Sequence, residues 1–199
     1  MPVDLIKPAC TPTPTPVDAV EAVTLRRATP ADSAMLALVG AATFLEAFTW
    51  MLPGADILAH ATTNHTPEAY AAYLAAPDTR ITLAVTGNDA PVGFAMLTAP
   101  ELPSIPTFAT DIELKRIYLF SRFRSAPVVG SGLRPGQALM DAAIADAVAL
   151  GRTRLLLGTH AGNQRAIAFY RRNGFTEAGT RTFLVGTQQC CDLIFARHL

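Results

Sequence analysis

At residue 80 the apolar side chains stop recurring at helical spacing and begin to alternate, and that change dictates the order of elements the chain can build. Upstream, "VTLRRA" (23–28) reads as a strand, and "TPADSAMLALVGAATFLEAF" as a helix capped at Thr29 with Pro30 in its first turn. A second helical stretch, broken near "LPGAD", runs through "TPEAYAAYLAAP" (66–77), where Thr66-Pro67 repeats the start signal. Downstream, "RITLAVT" and "VGFAMLT" flank "GNDAP", a turn sequence that closes a hairpin. "DIELKRIYLF" (111–120) is a third strand, expected to put Ile112, Leu114 and Tyr118 on one face and Glu113, Ile117 and Leu119 on the other. "GQALMDAAIADAVALG" (136–151) carries an apolar stripe of Leu139, Met140, Ala143, Ile144, Ala147 and Val148 and stops at Gly151. "RLLLG" (154–158) is a continuous apolar run of the kind found in a strand covered on both faces. A short helix over 163–175 and strands near 176–186 and 190–196 complete a mixed α/β domain without internal repeats.

Half of the 199 residues are hydrophobic and 16% are charged, enough apolar material for one core. The Thr-Pro repeat of residues 11–16 favours extended chain, so residues 1–22 are expected to form a flexible tail before a domain of residues 23–199. Sixteen basic and 16 acidic residues give zero formal net charge, which removes the global electrostatic case for nucleic acid or an anionic membrane as partner. The start shows no basic stretch followed by an apolar core, and no apolar run reaches the length of a membrane span, so a cytoplasmic location is expected. Cys10, Cys190 and Cys191 form no disulfide framework, and the adjacent pair in a strand would place one thiol in the core. The histidines show no ligand spacing, so no metal is expected.

Chemistry concentrates where three features follow one another: the strand "ELKRIYL", a loop with Gly130, Gly132 and Gly136 entering a helix, and a buried strand leading to "NQRAIAFYRRNGF". A glycine loop at a helix start presents unpaired N–H groups at the positive end of the dipole, suited to a diphosphate without a metal. In the last segment Asn163 is an N-cap and Gly174 the left-handed closing residue. Ala166, Ile167, Phe169 and Tyr170 share one helical face, with Arg165, Arg171 and Arg172 opposite.

In order and separation these motifs resemble the GCN5-related N-acetyltransferases, the GNAT superfamily, over roughly residues 23–198. The resemblance implies a central mixed, mostly antiparallel sheet, splayed at the cofactor site and flanked by helices, with residues 23–199 as the N-acetyltransferase domain. It implies acetyl-CoA as cofactor, with its pyrophosphate on the loop and helix start: Arg124, Gly130, Ser131, Gly132, Leu133, Arg134, Gly136 and Gln137. The pantetheine arm would run along Ile117, Tyr118 and Leu119, with Asn163, Ala166 and Phe169 on its far side and Tyr170 facing the sulfur. The usual Gln/Arg-x-x-Gly-x-Gly/Ala motif is altered here, and two registers are open. Either Ser131 to Gly136 is the motif, with Ser131 for Gln/Arg and Arg134 for the middle glycine, or the motif starts at Arg124 and carries an insertion.

Within the superfamily, "IELKRIYL", "AIAFYRRNGF" and "TRTFLVGTQQCCDLIFARHL" are most similar to bacterial spermidine/spermine acetyltransferases of the PaiA kind, which implies a small amine acceptor, polyamines first. Amino acids, antibiotics and protein N-termini are alternative acceptors, and a CoA-binding sensor without turnover is a reading of another class. Phe44, Phe48 and Trp50, with His160, are expected to line the acceptor side, in a region that also holds His60, His65 and Tyr70. Direct attack on the thioester needs a proton removed from an amine of pKa near ~10.4. Glu113 matches the glutamate that serves as base in some members; four residues from Ile117 it would stand about 13 Å along the strand and act through water. Its other reading is a strand carboxylate paired with Lys115 or Arg116. Tyr170 would donate to the leaving thiolate, and a backbone N–H of residues 117–119 to the oxyanion. Neither Cys190 nor Cys191 has a partner that would make it a nucleophile. A homodimer is what the superfamily suggests.

Overall fold

The computed structural model describes residues 21–185 and 188–199; residues 1–20, which include most of the expected tail and Cys10, lie outside the described residues. Seven strands form one sheet: β1 (Thr24–Arg27), β2 (Arg80–Val85), β3 (Pro91–Thr98), β4 (Asp111–Leu119), β5 (Arg154–His160), β6 (Thr176–Val185) and β7 (Gln188–His198). Their order is β1-β2-β3-β4-β5-β7-β6, and every pairing is antiparallel except β4 with β5. α1 (Ser33–Phe48), α2 (Gly54–Asn64) and α3 (Pro67–Ala75) cover one face, and α4 (Pro135–Ala149) and α5 (Gln164–Arg172) the other.

Local chemistry sets these boundaries. Thr66 accepts the N–H of Ala69 at 3.1 Å and starts α3, and Asn163 accepts that of Ala166 at 3.1 Å and starts α5. Gly174, at φ +79, closes α5. Before α1 comes a single 3-10 turn, Pro30–Asp32, in which the Asp32 carboxylate takes the Thr29 N–H at 2.7 Å. That turn and α1 together form a helical run, Pro30–Phe48, long and apolar enough to cross a membrane by composition, contrary to the expectation that no such run exists. Its inward residues Leu36, Ala37, Val39 and Phe44 instead cover the sheet. On α4, Leu139, Met140, Ala143 and Ala147 are buried as expected, whereas Val148 is 55% exposed.

Two irregularities position the site. The β3–β4 register shifts between Met96 and Leu97, which face Arg116 and Leu114, so Lys115 is an extra residue on β4. The expected face assignment therefore fails at that point. Ile117 and Leu119 pack with Ile112 and Leu114 on the α4–α5 side, while Tyr118 packs on the α1–α3 side. Further, β4 pairs with β5 only through Asp111–Glu113 and Arg154–Leu156. Past that point β4 stays with β3 as far as Leu119, and β5 stays with β7 as far as His160. The sheet opens between its two parallel strands.

Candidate active site

The opening exposes one edge of β4. Phe120 donates its N–H to Val92 O at 3.0 Å, toward β3. Successive N–H groups alternate between edges, so those of Ile117 and Leu119 point into the gap. Glu46 of α1 holds the end of this strand, its carboxylate accepting the Ser121 N–H at 3.0 Å and hydroxyl at 2.7 Å. Gly93 is required where β3 crosses it, because a Cβ there would lie 2.4 Å from Tyr118 O.

On the α4–α5 side, the glycine loop forms a closed turn. Val128 O accepts from Gly132 at 2.9 Å and Ser131 at 3.3 Å, and Val128 N–H reaches Leu133 O at 2.9 Å. Gly130 and Gly132 adopt φ +83 and +66, with open space where a side chain would stand. Arg134 is the exposed N-cap of α4, and Gly136 follows in the first turn, where an N–H has no preceding helical carbonyl. Ser131 to Gly136 thus lead directly into the helix. Arg124, half-buried after β4, has its pKa lowered by burial and then by the Arg165 charge of α5, against Glu46. Gln137 commits its side-chain amide to Asp141 and Asn173, both at 2.8 Å, which leaves only its backbone for a ligand. On α5, Asn163 Oδ1 is occupied by capping, Ala166 and Phe169 are half-buried, and Tyr170 is buried against Phe175 and Phe195. Burial, followed by the nearby Tyr118 and Asp192, pushes the Tyr170 phenol well up, so it stays protonated.

Across the sheet lies a wall of aromatic rings. Phe44 stacks on His60 at 4.2 Å and lies 4.6 Å from Phe48, and Trp50, 63% exposed, meets His160 edge-on at 5.9 Å. The four expected acceptor-side residues therefore share this face. Glu113 is buried at the still-paired end of β4, where its carboxylate accepts the Glu101 N–H at 2.7 Å, and Lys115 pairs with Glu101, not with Glu113.

Asp192 is a further candidate, outside the motifs singled out above. It stands opposite His160 in the β5–β7 register, on the strand face shared by buried Cys190 and Ile194. Arg181 donates to its Oδ2 from Nε at 3.0 Å and Nη2 at 2.8 Å, so Oδ1 is outside that pair. Burial raises its pKa, against Arg181 and His160. Opposite His160, Asp192 lies beyond the last β4–β5 pair, Glu113 with Leu156, and its charge helps raise the phenols of Tyr118 and Tyr170. Gly158 makes room, since a Cβ there would come within 3.3 Å of Asp192 Oδ2. The motif "CCDLIF" offered one signal, a carboxylate among apolar residues of a strand.

A sheet opened between parallel strands, with unpaired amides along one lip and a buried phenol beside it, suits an acyltransferase whose donor enters between the strands. Residues 46–175 match the Acetyltransferase (GNAT) family, and the chain belongs to that family. Uncharacterized N-acetyltransferases from Mycobacterium tuberculosis and Mycobacterium bovis are each 32% identical over 168 residues, 84% of this chain and 98% of theirs. The PaiA N-acetyltransferase from Thermoplasma acidophilum, solved in complex with coenzyme A, is similar in fold with a TM-score of 0.69, at 18% identity over 89% of this chain and 99% of that one. A GCN5-related N-acetyltransferase from Rhodopseudomonas palustris gives 0.64, at 20% identity over 91% and 98%. The protein is an acetyl-CoA-dependent N-acetyltransferase. Its own residues fit that cofactor: free amides line the gap, and open space lies beside Gly130, Gly132 and Gly136 at the start of α4.

Proposed function

We propose that the enzyme acetylates the primary amine of a small acceptor by direct attack, with Tyr170 on the cofactor side of the gap and Asp192 on the acceptor side. The reading is carried by one juxtaposition: beside the free lip of β4 stand a phenol held protonated, Tyr170, and a buried carboxylate, Asp192, whose charge helps hold that proton. When bound, acetyl-CoA supplies a thioester carbonyl open to an amine and a thiol as leaving group.

The chain's residues divide the remaining work. Gly136 and the loop N–H groups before it would hold the pyrophosphate, and Arg134 would add charge. Ile117 and Leu119 present their N–H groups where negative charge develops on oxygen, a contribution of about 3 kcal/mol for one such donor. Asn163, its Oδ1 used in capping, would turn its amide nitrogen to the pantetheine arm, and Ala166 leaves the arm space. Tyr170 would donate its proton toward the sulfur. Asp192 Oδ1 would take the proton of the incoming ammonium; Glu113, on the same face but at the paired end of β4, could act only through water. Phe44, Phe48, Trp50 and His160 would wall the acceptor.

Likeness to PaiA-type enzymes suggests a polyamine. The buried cation Arg116, on the same face, opposes an acceptor with several positive charges and favours a smaller amine. A homodimer is carried over from the family alone.

Initial rates with both substrates varied are expected to give intersecting lines, as direct attack requires; parallel lines would indicate an acetylated enzyme instead. Tyr170→Phe and Asp192→Asn should each lower kcat by ~10²-fold or more with acetyl-CoA affinity preserved. Unchanged kcat in either variant would remove its residue from the mechanism. Acetyl-CoA binding without turnover on any amine would favour a sensor.

A further inference from the structure

Behind Tyr118, on the acceptor face, lie two buried polar atoms that the acetyl-transfer reading does not use. Arg116 is 8% exposed and its Nη1 has no hydrogen-bond partner among the described residues; His65, 6% exposed, is in the same position at Nε2. Both belong to one cluster. The Arg116 guanidinium lies 5.5 Å from the ring centres of Tyr70 and Tyr73, and the His65 ring 6.2 Å from that of Tyr118.

Both orphaned atoms are donors. An arginine can only donate. For His65 the proton position follows from its neighbour: Tyr70 Oη is 2.9 Å from His65 Nδ1. Burial keeps the Tyr70 phenol protonated, and the guanidinium beside it can supply hydrogen but not accept it. The Tyr70 hydrogen therefore goes to Nδ1, which puts the imidazole hydrogen on Nε2. The pair is closely packed against α1, since a Cβ at Gly40 would come within 2.4 Å of both His65 Nδ1 and Tyr70 Oη.

Water could satisfy a donor, but it would not balance a charge. Among the described residues no carboxylate lies within ion-pair distance of Arg116, although it is buried, and an uncompensated buried cation is costly. An incoming carboxylate would remove that cost and accept both orphaned hydrogens, in the geometry a guanidinium fork favours. Arg116 is also well placed for this. It is one residue, about 3.3 Å of strand, from Ile117 at the gap. The Tyr118 phenol feels both charges, the Arg116 cation and, more weakly, the Asp192 anion, so the two act on one ring.

We propose that the acceptor is an amino acid, its carboxylate received by Arg116 and His65 while its amine faces Asp192. This rests on the acetyl-transfer reading of the site and narrows its substrate.

The test compares amino acids with their decarboxylated amines, lysine with cadaverine and phenylalanine with phenethylamine, at saturating acetyl-CoA. At least one acid should exceed its amine in kcat/KM by ~10-fold, and Arg116→Gln should bring that ratio down to about 1, mostly through the KM of the acid. Arg116→Lys, which keeps charge but loses the fork, should fall between. Thermal unfolding separates binding from support: Arg116→Met, relieved of an unbalanced charge, should match or exceed the parent Tm. A preference for the amines, or an Arg116→Gln defect equal for acid and amine, overturns the proposal. So does a fall in Tm with an unchanged ratio. Should acetyl-CoA bind without any turnover, the transferase reading fails and calorimetry decides the inference alone. Amino-acid binding to the CoA-loaded protein that Arg116→Gln abolishes sustains it, and absence of binding to the parent protein overturns it.

Discussion

His65 shows how far one side chain is committed to the folded state. Burial first, then the charges of Arg116 and His60, hold its pKa at about 3, far below the ordinary 6.5. The unfolded chain accepts a proton below pH 6.5 that the folded one refuses until about pH 3, so this stability is complete above 6.5 and drains away as pH falls through that window. Each unit within it costs up to about 1.4 kcal/mol for this group. Tm measured from about pH 7 down to about pH 4 should fall more steeply for the parent protein than for His65→Gln. Parallel slopes would mean that the imidazole is not held neutral by the fold. Burial of this kind is invisible in sequence, where His65 is merely a histidine before Thr66-Pro67.

At the scale of elements, β4 is where structure departs most from the linear pattern. Alternation along "DIELKRIYLF" predicts faces correctly only up to Leu114; the extra residue at Lys115 then carries Ile117 and Leu119 back to the α4–α5 side and turns Arg116 and Tyr118 toward the aromatic wall. A bulge leaves no local signature here, because it depends on the partner strand. The ends of α3 and α5 were legible for the opposite reason, since Thr66, Asn163 and Gly174 act within one turn of themselves. The loop before α4 falls between these cases. Its glycines announced a helix start, while the turn closed on Val128 had no pattern to announce it. Hydrogen exchange should separate the two parts of β4. The Ile117 and Leu119 amides should exchange faster than those of Tyr118 and Phe120, and acetyl-CoA should slow them by ~10-fold or more. Equal protection before and after ligand would show that the gap is not the cofactor's path.

Across the whole molecule, the sheet separates two kinds of surface. One, under α4 and α5, offers main-chain donors and Tyr170; the other, under α1 to α3, gathers Asp192, Arg116, His65 and the rings of Phe44, His60 and Trp50. Among the described residues the sheet opens between them where β4 and β5 part, the place proposed for donor and acceptor to meet. Element order made this architecture readable from sequence. The face proposed for the acceptor was readable only in part: Phe44, Phe48, Trp50 and His160 were expected there, whereas Asp192 and Arg116 join them only through packing of β4 and β7 against elements distant in the chain. Thiol release from acetyl-CoA by the purified protein, across amino acids, polyamines, aminoglycosides and short peptides, is the decisive measurement for acetyl transfer through this gap. Amine-dependent release is expected, strongest with a carboxylate-bearing amine and ~10²-fold weaker in Tyr170→Phe. No release with any amine, under conditions where acetyl-CoA is bound, would contradict it.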